Sequence, residues 1–312
     1  MTKVSVIGAG KVGEIVAFGL ANKGIVNEVT LVDIIEGLPQ GKALDMYEAT
    51  PVLGESTKVV GTNDPTEVAG SDIVVVPAGS PRKPGMDRMD LLKINLKICN
   101  SVVTNIKENA PDAKILYIAN PVDVMTYAAK FITGFPSNQV FGMAGVLDTS
   151  RFRTFISMEA NVSQKDVTAM VLGGHGDAMV PLPRYTTIGG VPVSHFIGEE
   201  KMAEIVERTR KGGGEIVNLL GYSGYYAPGI GATEMVEAII KDQRRVLPAV
   251  AYLDGQYGFS DIYAGVPVIL GKNGVEKILE IDLNEEESAA LNTSLTSVKA
   301  GIENMKSLLN GM

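Results

Sequence analysis

The chain has 312 residues and a formal net charge of −8, with 45% hydrophobic and 21% charged residues. These values are typical of a globular protein with one large or two modest domains. The acidic balance argues against nucleic acid or a membrane surface as a partner, because both require a basic face. Cys99 is the only cysteine and no Cys/His cluster surrounds it, so neither a disulfide nor a metal site is predicted.

The first half of the chain alternates short apolar runs with helix-like stretches. The runs are apolar throughout, as in parallel strands covered on both faces, which predicts an α/β fold with a doubly wound parallel sheet. The predicted strands are 4–8, 29–33, 72–79, 114–120 and 139–144, and the predicted helices are 11–23, 40–50, 88–109 and 122–133. Because the chain enters its first strand at once, with no signal peptide and no membrane-length apolar run, a cytoplasmic protein is expected.

The second half changes character, which predicts a mixed α+β substrate-binding and catalytic domain at 146–312 after a first domain at 1–145. A helix near 148–160 precedes an apolar run at 167–174. Two later segments are expected to be antiparallel, and Asn273-Gly274 marks a hairpin turn in the second of them. These segments are 191–197 and 265–281.

The last helix begins with a predicted capping box, in which Asn284 is the N-cap and Glu287 lies three residues later. An earlier helical region, 199–220, is interrupted by Gly212-Gly213-Gly214, which suggests a kink. The apolar side chains of the last helix share one face, which predicts packing onto the body of the protein. They are Leu291, Leu295, Val298, Ile302, Met305 and Leu309.

Residues 8–13 read GAGKVG, follow a predicted strand, open a predicted helix and precede Asp33 by about 20 residues. This context is the dinucleotide-binding fingerprint of a Rossmann domain, whereas the glycine spacing alone would be weak support. The first glycine permits a tight turn, the second lets the backbone approach a pyrophosphate, and the third lets the helix pack closely. The predicted cofactor-binding residues here are Gly8, Ala9, Gly10, Lys11, Val12 and Gly13.

Asp33 predicts the type of dinucleotide. Its carboxylate can accept hydrogen bonds from the adenosine ribose and would repel a 2′-phosphate, and the following residues 34–36 supply no arginine to bind one. NAD is therefore predicted rather than NADP. By position, Asn95 and the strand-end residues from Ile118 to Asn120 are candidates for the nicotinamide end of the cofactor.

His175 is the candidate proton-transfer group. It lies in GGHGD after a strand-like run, where the glycines leave the imidazole accessible, whereas His195 has no such setting. Hydride transfer between a secondary alcohol and NAD needs a base for the hydroxyl proton, and the reverse reaction needs an acid. An imidazole that titrates near pH 7 suits both directions.

The base also needs an acceptor that orients its second nitrogen. Asp148 is a candidate, while Asp177 lies too near in the same tight loop to reach the far nitrogen. Arg151 follows Asp148 by three residues, so both share one helix face, and a guanidinium can grip a carboxylate with two hydrogen bonds. Arg82 and Arg88 lie in a Pro- and Gly-rich segment that is predicted to be a loop able to act as a lid.

Several segments together resemble the lactate/malate dehydrogenase family over nearly the whole chain: GAGKVG with Asp33, AGSPRKPGMDRMDLL, ANPVD, GVLDTSRFR and GGHGD. The resemblance implies that His175 is the proton acceptor, with Asp148 as its partner. It implies that Arg151 binds the C1 carboxylate of the substrate and that Arg88 polarises the reacting carbonyl. It also implies a homodimer or homotetramer, and contacts to NAD from Asn95, Ile118 and Asn120, the last of which would touch the substrate as well.

Within this family the residue at position 82 indicates the substrate. Lactate-specific members typically carry a neutral residue there, whereas a dicarboxylate such as malate or oxaloacetate needs its second charge neutralised inside a closed site. Leaving that charge unpaired costs on the order of 3–5 kcal/mol. Arg82 and the small Ser223-Gly224 therefore imply malate and oxaloacetate as the substrates. The alternatives are a lactate dehydrogenase and a non-catalytic NAD-binding module, the second of which would leave His175, Asp148 and the arginines unexplained.

Overall fold

A computed structural model describes residues 1–80 and 88–309 of the chain. The helices are α1 (Lys11–Asn22), α2 (Leu38–Leu53), α3 (Arg88–Asn109), α4 (Val122–Thr133), α5 (Gly145–Ala160), α6 (Glu199–Leu220), α7 (Tyr226–Ile240) and α8 (Glu285–Leu309). The strands of the first half are β1 (Lys3–Ile7), β2 (Glu28–Val32), β3 (Lys58–Thr62), β4 (Ile73–Val76), β5 (Lys114–Tyr117) and β6 (Val140–Gly142). Those of the second half are β7 (Val167–Thr168), β8 (Val171–Leu172), β9 (Val180–Pro181), β10 (Thr187–Ile188), β11 (Val191–Pro192), β12 (Arg245–Asp254), β13 (Ser260–Gly271) and β14 (Gly274–Ile278).

Among the described residues, nine strands form one large sheet in the order β14-β13-β12-β6-β5-β4-β1-β2-β3. The first six strands of the chain pair in parallel, and the strand order reverses between β1 and β4. In such a sheet, ligands bind beyond the carboxyl ends of the strands at the point of reversal. The prediction of a doubly wound parallel sheet is therefore confirmed, and it places the glycine-rich turn after β1 at that point.

The sheet continues across the predicted domain boundary at residue 145. Strand β12 pairs antiparallel with β6 where Val250 lies opposite Gly142. A Cβ at Gly142 would lie 3.0 Å from the Val250 Cβ, so the glycine allows the close approach of these strands. Strands β13 and β14 extend the sheet as a hairpin, and Gly274 adopts the left-handed conformation, φ +86°, at its turn. The mixed α+β character predicted for the second half is confirmed.

Two strands of the large sheet were not predicted from the sequence. Strand β3 is an edge strand in which only Val59 and Val60 are apolar, so it lacks the long run that marks the central strands. Strand β12 contains Pro248, a residue that usually argues against a strand. In the pairing with β13, Pro248 lies opposite another proline, Pro267.

Two predicted strands of the second half are shorter than expected. The run at 167–174 divides into β7 and β8, which belong to different small sheets. In the segment at 191–197 only Val191–Pro192 forms a strand, and Val193–His195 turns into a short 3-10 helix. Apolar runs this short are compatible with several backbone conformations, so the hydrophobic pattern alone does not distinguish them.

The predictions for the last helix are confirmed. Glu287 donates its backbone N–H to Asn284 Oδ1 at 2.8 Å, and Asn284 donates its own to Glu287 Oε2 at 2.9 Å, which is the predicted capping box. The apolar face of α8 is buried as far as Met305, and it packs on α4 and β13. The triple glycine does not interrupt the helix, because α6 runs without a break through Gly212–Gly214, and the kink suggested there stays a prediction. None of the helices described in residues 1–80 and 88–309 is long and apolar enough to cross a membrane.

Candidate active site

The glycine-rich turn has the geometry that its sequence predicts. Gly8 has φ +118°, and a Cβ there would lie 3.0 Å from the backbone nitrogen of Ala78. A Cβ at Gly13 would overlap the carbonyl oxygen of Gly8, so only glycine lets α1 begin this close to β1. A Cβ at Gly10, the N-cap of α1, would meet nothing within 4 Å. The second glycine thus leaves open space in front of the helix N-terminus, where backbone N–H groups and the helix dipole favour a phosphate.

Asp33 follows β2 directly and lies beside this turn. Its Oδ2 accepts the Ala9 N–H at 2.7 Å, and its Oδ1 accepts the Ile35 N–H at 3.0 Å. These contacts hold the carboxylate at the cleft, next to the side chain of Ile34, which is 98% exposed. The Asp33 carboxylate, which can bind ribose hydroxyls, therefore lies next to the exposed Ile34 side chain, on which a flat base can pack.

Asn95 is buried between two loops. Its Oδ1 accepts the Ser80 N–H at 2.7 Å, and its Nδ2 donates to the Asn120 carbonyl oxygen at 2.7 Å. The Asn95 amide thus ties the loop after β4 to the loop after β5. Ile118 and Asn120 themselves line the cleft.

His175 and Asp148 form a close pair. His175 lies in the loop after β8, and its Nδ1 is 2.9 Å from Oδ2 of Asp148, which is in the first turn of α5 and only 2% exposed. Because an ionised carboxylate can only accept, Nδ1–H donates to Asp148, and Nε2 is the nitrogen left for a substrate. Burial alone lowers the pKa of His175, but the charge and hydrogen bond of Asp148 outweigh it and raise the pKa above its ordinary value.

Arg151 shares the same carboxylate. Its Nη1 donates to Asp148 Oδ1 at 3.2 Å, as the spacing of three residues on one helix predicts. Its stem packs against α6, where a Cβ at Gly212 would lie 3.1 Å from Arg151 Cδ and a Cβ at Gly213 would lie 3.7 Å from Nη2. The sequence alone did not reveal this role of the triple glycine, which leaves room for the guanidinium.

A single cleft of about 1250 Å³ contains the glycine-rich turn, Asp33, Arg151 and His175. That is ample for a dinucleotide and a small acid together. Sequence reasoning missed Arg210, a further cation that lines it and donates from Nε to the Met179 carbonyl oxygen at 3.2 Å. It also missed Tyr222, whose ring centre lies 3.1 Å from Lys11 Nζ. Arg210 lies on α6 and Tyr222 just after it, and neither belongs to one of the sequence motifs.

Two predicted arginines cannot be placed. Arg82 lies outside the described residues, and so does the side chain of Arg88, the first residue of α3. The contacts predicted for both therefore stay predictions.

Comparison with known proteins agrees with this geometry. Residues 2–142 match the profile of the lactate/malate dehydrogenase NAD binding domain, and residues 145–309 match that of the lactate/malate dehydrogenase alpha/beta C-terminal domain. The chain is an NAD-dependent oxidoreductase, so a non-catalytic NAD-binding module is set aside. It belongs to the lactate/malate dehydrogenase family, as the sequence motifs predict.

Individual relatives are similar along their whole length. Malate dehydrogenase of Roseiflexus sp. (strain RS-1) is 54% identical over 98% of this chain and 99% of its own. The solved malate dehydrogenase of Salinibacter ruber is 51% identical with a TM-score of 0.95, covering 99% of both chains. A solved lactate dehydrogenase of Cryptosporidium parvum, complexed with lactic acid and nicotinamide adenine dinucleotide, is 42% identical with a TM-score of 0.94, covering 98% of both chains.

Proposed function

We propose that this chain interconverts malate and oxaloacetate with NAD, using His175 as the group that takes and returns the hydroxyl proton. The observation that carries the proposal is the shared carboxylate of Asp148, which holds both an imidazole and a guanidinium at one end of the NAD cleft. One group can move a proton while the other binds an acid. The two more similar relatives are named malate dehydrogenases, which favours malate over lactate.

NAD supplies the acceptor for the hydride that leaves C2 of malate. His175 Nε2 takes the hydroxyl proton as the C2–O bond becomes a carbonyl, and it returns that proton when oxaloacetate is reduced. Asp148 keeps the other nitrogen protonated and stabilises the imidazolium that forms. Since malate oxidation needs neutral His175, its rate should rise as the pH passes the raised pKa of that group, whereas oxaloacetate reduction should fall over the same range.

Each of three arginines is assigned to a different part of the substrate. We assign the C1 carboxylate to Arg151, because its guanidinium lies beside the imidazole and needs no movement to reach the cleft. We assign the reacting carbonyl to Arg88, where a cation would stabilise the charge that develops on oxygen. We assign the distal carboxylate to Arg82, which distinguishes a diacid from lactate.

The cofactor contacts follow the same logic. The turn at residues 8–13 would face the pyrophosphate and Asp33 the adenosine ribose, with Ile118 and Asn120 at the nicotinamide end. Asn95 is proposed to act by holding Asn120, since its own amide is engaged by the two loops.

A steady-state assay of oxaloacetate and of pyruvate, each with NADH and with NADPH, tests this function. Oxaloacetate with NADH should exceed pyruvate with NADH in kcat/KM by about 100-fold or more, because a buried charge match is worth several kcal/mol. A preference for pyruvate would establish the lactate alternative, and equal use of NADPH would remove the role proposed for Asp33.

A homodimer or homotetramer is also proposed. Large apolar side chains are exposed on α2 and α7, the two helices that pack against α1, including Leu44 and Tyr47 of α2 and Tyr226 and Ile230 of α7. Where exposed apolar side chains form a contiguous patch, the patch usually marks an interface. Light scattering coupled to gel filtration would count the subunits, and a monomer at micromolar concentration would contradict the proposal. The cytoplasmic location and the domain division at 145/146 stay predictions from the sequence.

A further inference from the structure

The loop that carries His175 is fastened to three different elements through its backbone. Gly173 and Gly265 of β13 exchange two hydrogen bonds, at 2.8 and 3.1 Å. The next residue, Gly174, donates its N–H to Ser294 Oγ of α8 at 2.9 Å. His175 itself donates its N–H to Asp123 Oδ2 of α4 at 3.0 Å. Three consecutive residues are thus held from outside the loop.

Asp123 is the one charged group among these anchors. It lies in the first turn of α4, where the helix dipole favours a negative charge, and it is only 6% exposed. Among the described residues, its second oxygen, Oδ1, is buried and has no hydrogen-bond partner. A buried carboxylate with so few partners is costly, because each charge moved out of water needs compensation. Anchoring one amide does not require that charge, since a neutral side chain can accept the same hydrogen bond.

We infer that Asp123 is a positioning residue of the active site: its carboxylate anchors the backbone of His175 and adds a second negative charge that favours the protonated imidazole. This inference rests on the role proposed for His175. Asp148 and Asp123 then have different roles: Asp148 binds the imidazole ring of His175, and Asp123 holds the backbone N–H of the same residue.

The charges that face the imidazole support this division. From α5, Asp148 raises the pKa of His175 and Arg151 lowers it, and from α4 Asp123 raises it. Toward Asp123 itself, burial raises the pKa to about 6, although the hydrogen bond from the His175 amide and the charge of His175 oppose that rise. From α8 the loop is met by Ser294, which carries no charge.

The test is a titration of His175 by NMR in the full-length protein without ligands, labelled with ¹³C in its histidine rings. The chain has 2 histidines, so a His195→Gln background leaves one signal, that of His175. Asp123→Asn keeps an acceptor of the same shape and removes the charge. The pKa of His175 should fall by about 0.5–1 unit in this variant. An unchanged pKa would overturn the inference.

Asp123→Ser provides a second neutral variant, with a side chain too short to reach the amide. It should show the same fall in the pKa of His175 and, in addition, a loss in kcat of about 10- to 100-fold, because the imidazole is less well placed. If only one of the two variants folds, as judged by NADH binding, that variant alone decides.

Ser294→Ala is the matched control, because it removes the neighbouring anchor of the same loop without changing any charge. The pKa of His175 should stay within about 0.2 unit of the parent, since its charged neighbours are unchanged. A fall as large as that in Asp123→Asn would assign the effect to loop displacement and overturn the inference. Turnover of oxaloacetate by the parent is measured separately, so a failure of the proposed function is distinguishable from a failure of this inference.

Discussion

The two ends of the cleft are built in different ways. The cofactor end is local: Gly8 and Asp33 directly follow the neighbouring strands β1 and β2, Gly13 lies on the helix between them, and one short motif defines their geometry. The catalytic end is assembled from distant segments, with Asp148 on α5, His175 after β8 and Asp123 on α4. A local site can be predicted from a motif and the elements on either side of it. At the assembled site the sequence indicated Asp148 and Arg151, but only the tertiary structure shows the contact of Asp123 with the His175 backbone.

Replacing His175, the proton-transfer group, should have the largest effect on turnover at the catalytic end while leaving cofactor binding at the other end unchanged. His175→Asn should lower kcat for oxaloacetate reduction by about 10³-fold or more, because no other group replaces the lost acid. NADH should bind as it does to the parent, since the glycine-rich turn and Asp33 are unchanged. Fluorescence titration with NADH and a steady-state assay measure both effects. Turnover near the parental rate would show that the imidazole is not the acid, and lost NADH binding would show that the two ends are not independent.

The substrate specificity of the catalytic end depends on Arg82. Arg82→Gln should lower kcat/KM for oxaloacetate by about 10²- to 10³-fold, because the distal carboxylate loses its counter-charge. Pyruvate, which lacks that carboxylate, should lose far less. Arg210→Gln is the control, because it removes another cation that lines the same cleft, and it should change the ratio of the two substrates less. An equal change in both variants would contradict the assignment of Arg82.

The contact between α5 and α6 should be visible in the affinity for substrate. Gly212→Ala places a Cβ 3.1 Å from Arg151 Cδ, so the guanidinium must shift, and KM for oxaloacetate should rise by about 10-fold. Gly214→Ala makes the same change two residues later, where a Cβ meets nothing within 4 Å, and its effect on KM should be much smaller. Gly214→Ala should gain about 1 kcal/mol of stability from the helix propensity of alanine, whereas in Gly212→Ala the displacement of the Arg151 side chain offsets that gain. Similar KM values in the two variants would remove the role given to Gly212.

The smallest expected effect concerns the dependence of stability on pH. The pKa of Asp123 is about 6 in the folded protein, whereas the ordinary pKa of an aspartate is 3.8. The folded state therefore binds more protons than the unfolded state between these values, and this residue destabilises the protein as the pH rises through them. From pH 5 to pH 7.5 the parent should lose on the order of 1 kcal/mol relative to Asp123→Asn. Urea denaturation of both proteins at the two pH values measures the difference. Equal changes in the free energy of unfolding of the two proteins would place the pKa of Asp123 near its ordinary value.

The sequence predicted the central sheet and most of its helices because their signals are local. Continuous apolar runs mark β1, β2, β4 and β5, and the capping box marks the start of α8. It did not predict β3, which has only two apolar residues, or β12, whose apolar run is interrupted by Pro248. The function of the triple glycine was likewise invisible, because Gly212 acts on Arg151, a residue about 60 positions earlier in the chain.

The pairing of β12 with β6 has a mechanical consequence. One sheet runs through both halves of the chain, so the two halves cannot rotate apart about a hinge without breaking the pairing of β12 with β6. Entry of a dinucleotide must then depend on parts that lie off the sheet, and α6 is one of them. Structures with and without bound nucleotide should therefore agree at the contact between Gly142 and Val250 and differ in the position of α6.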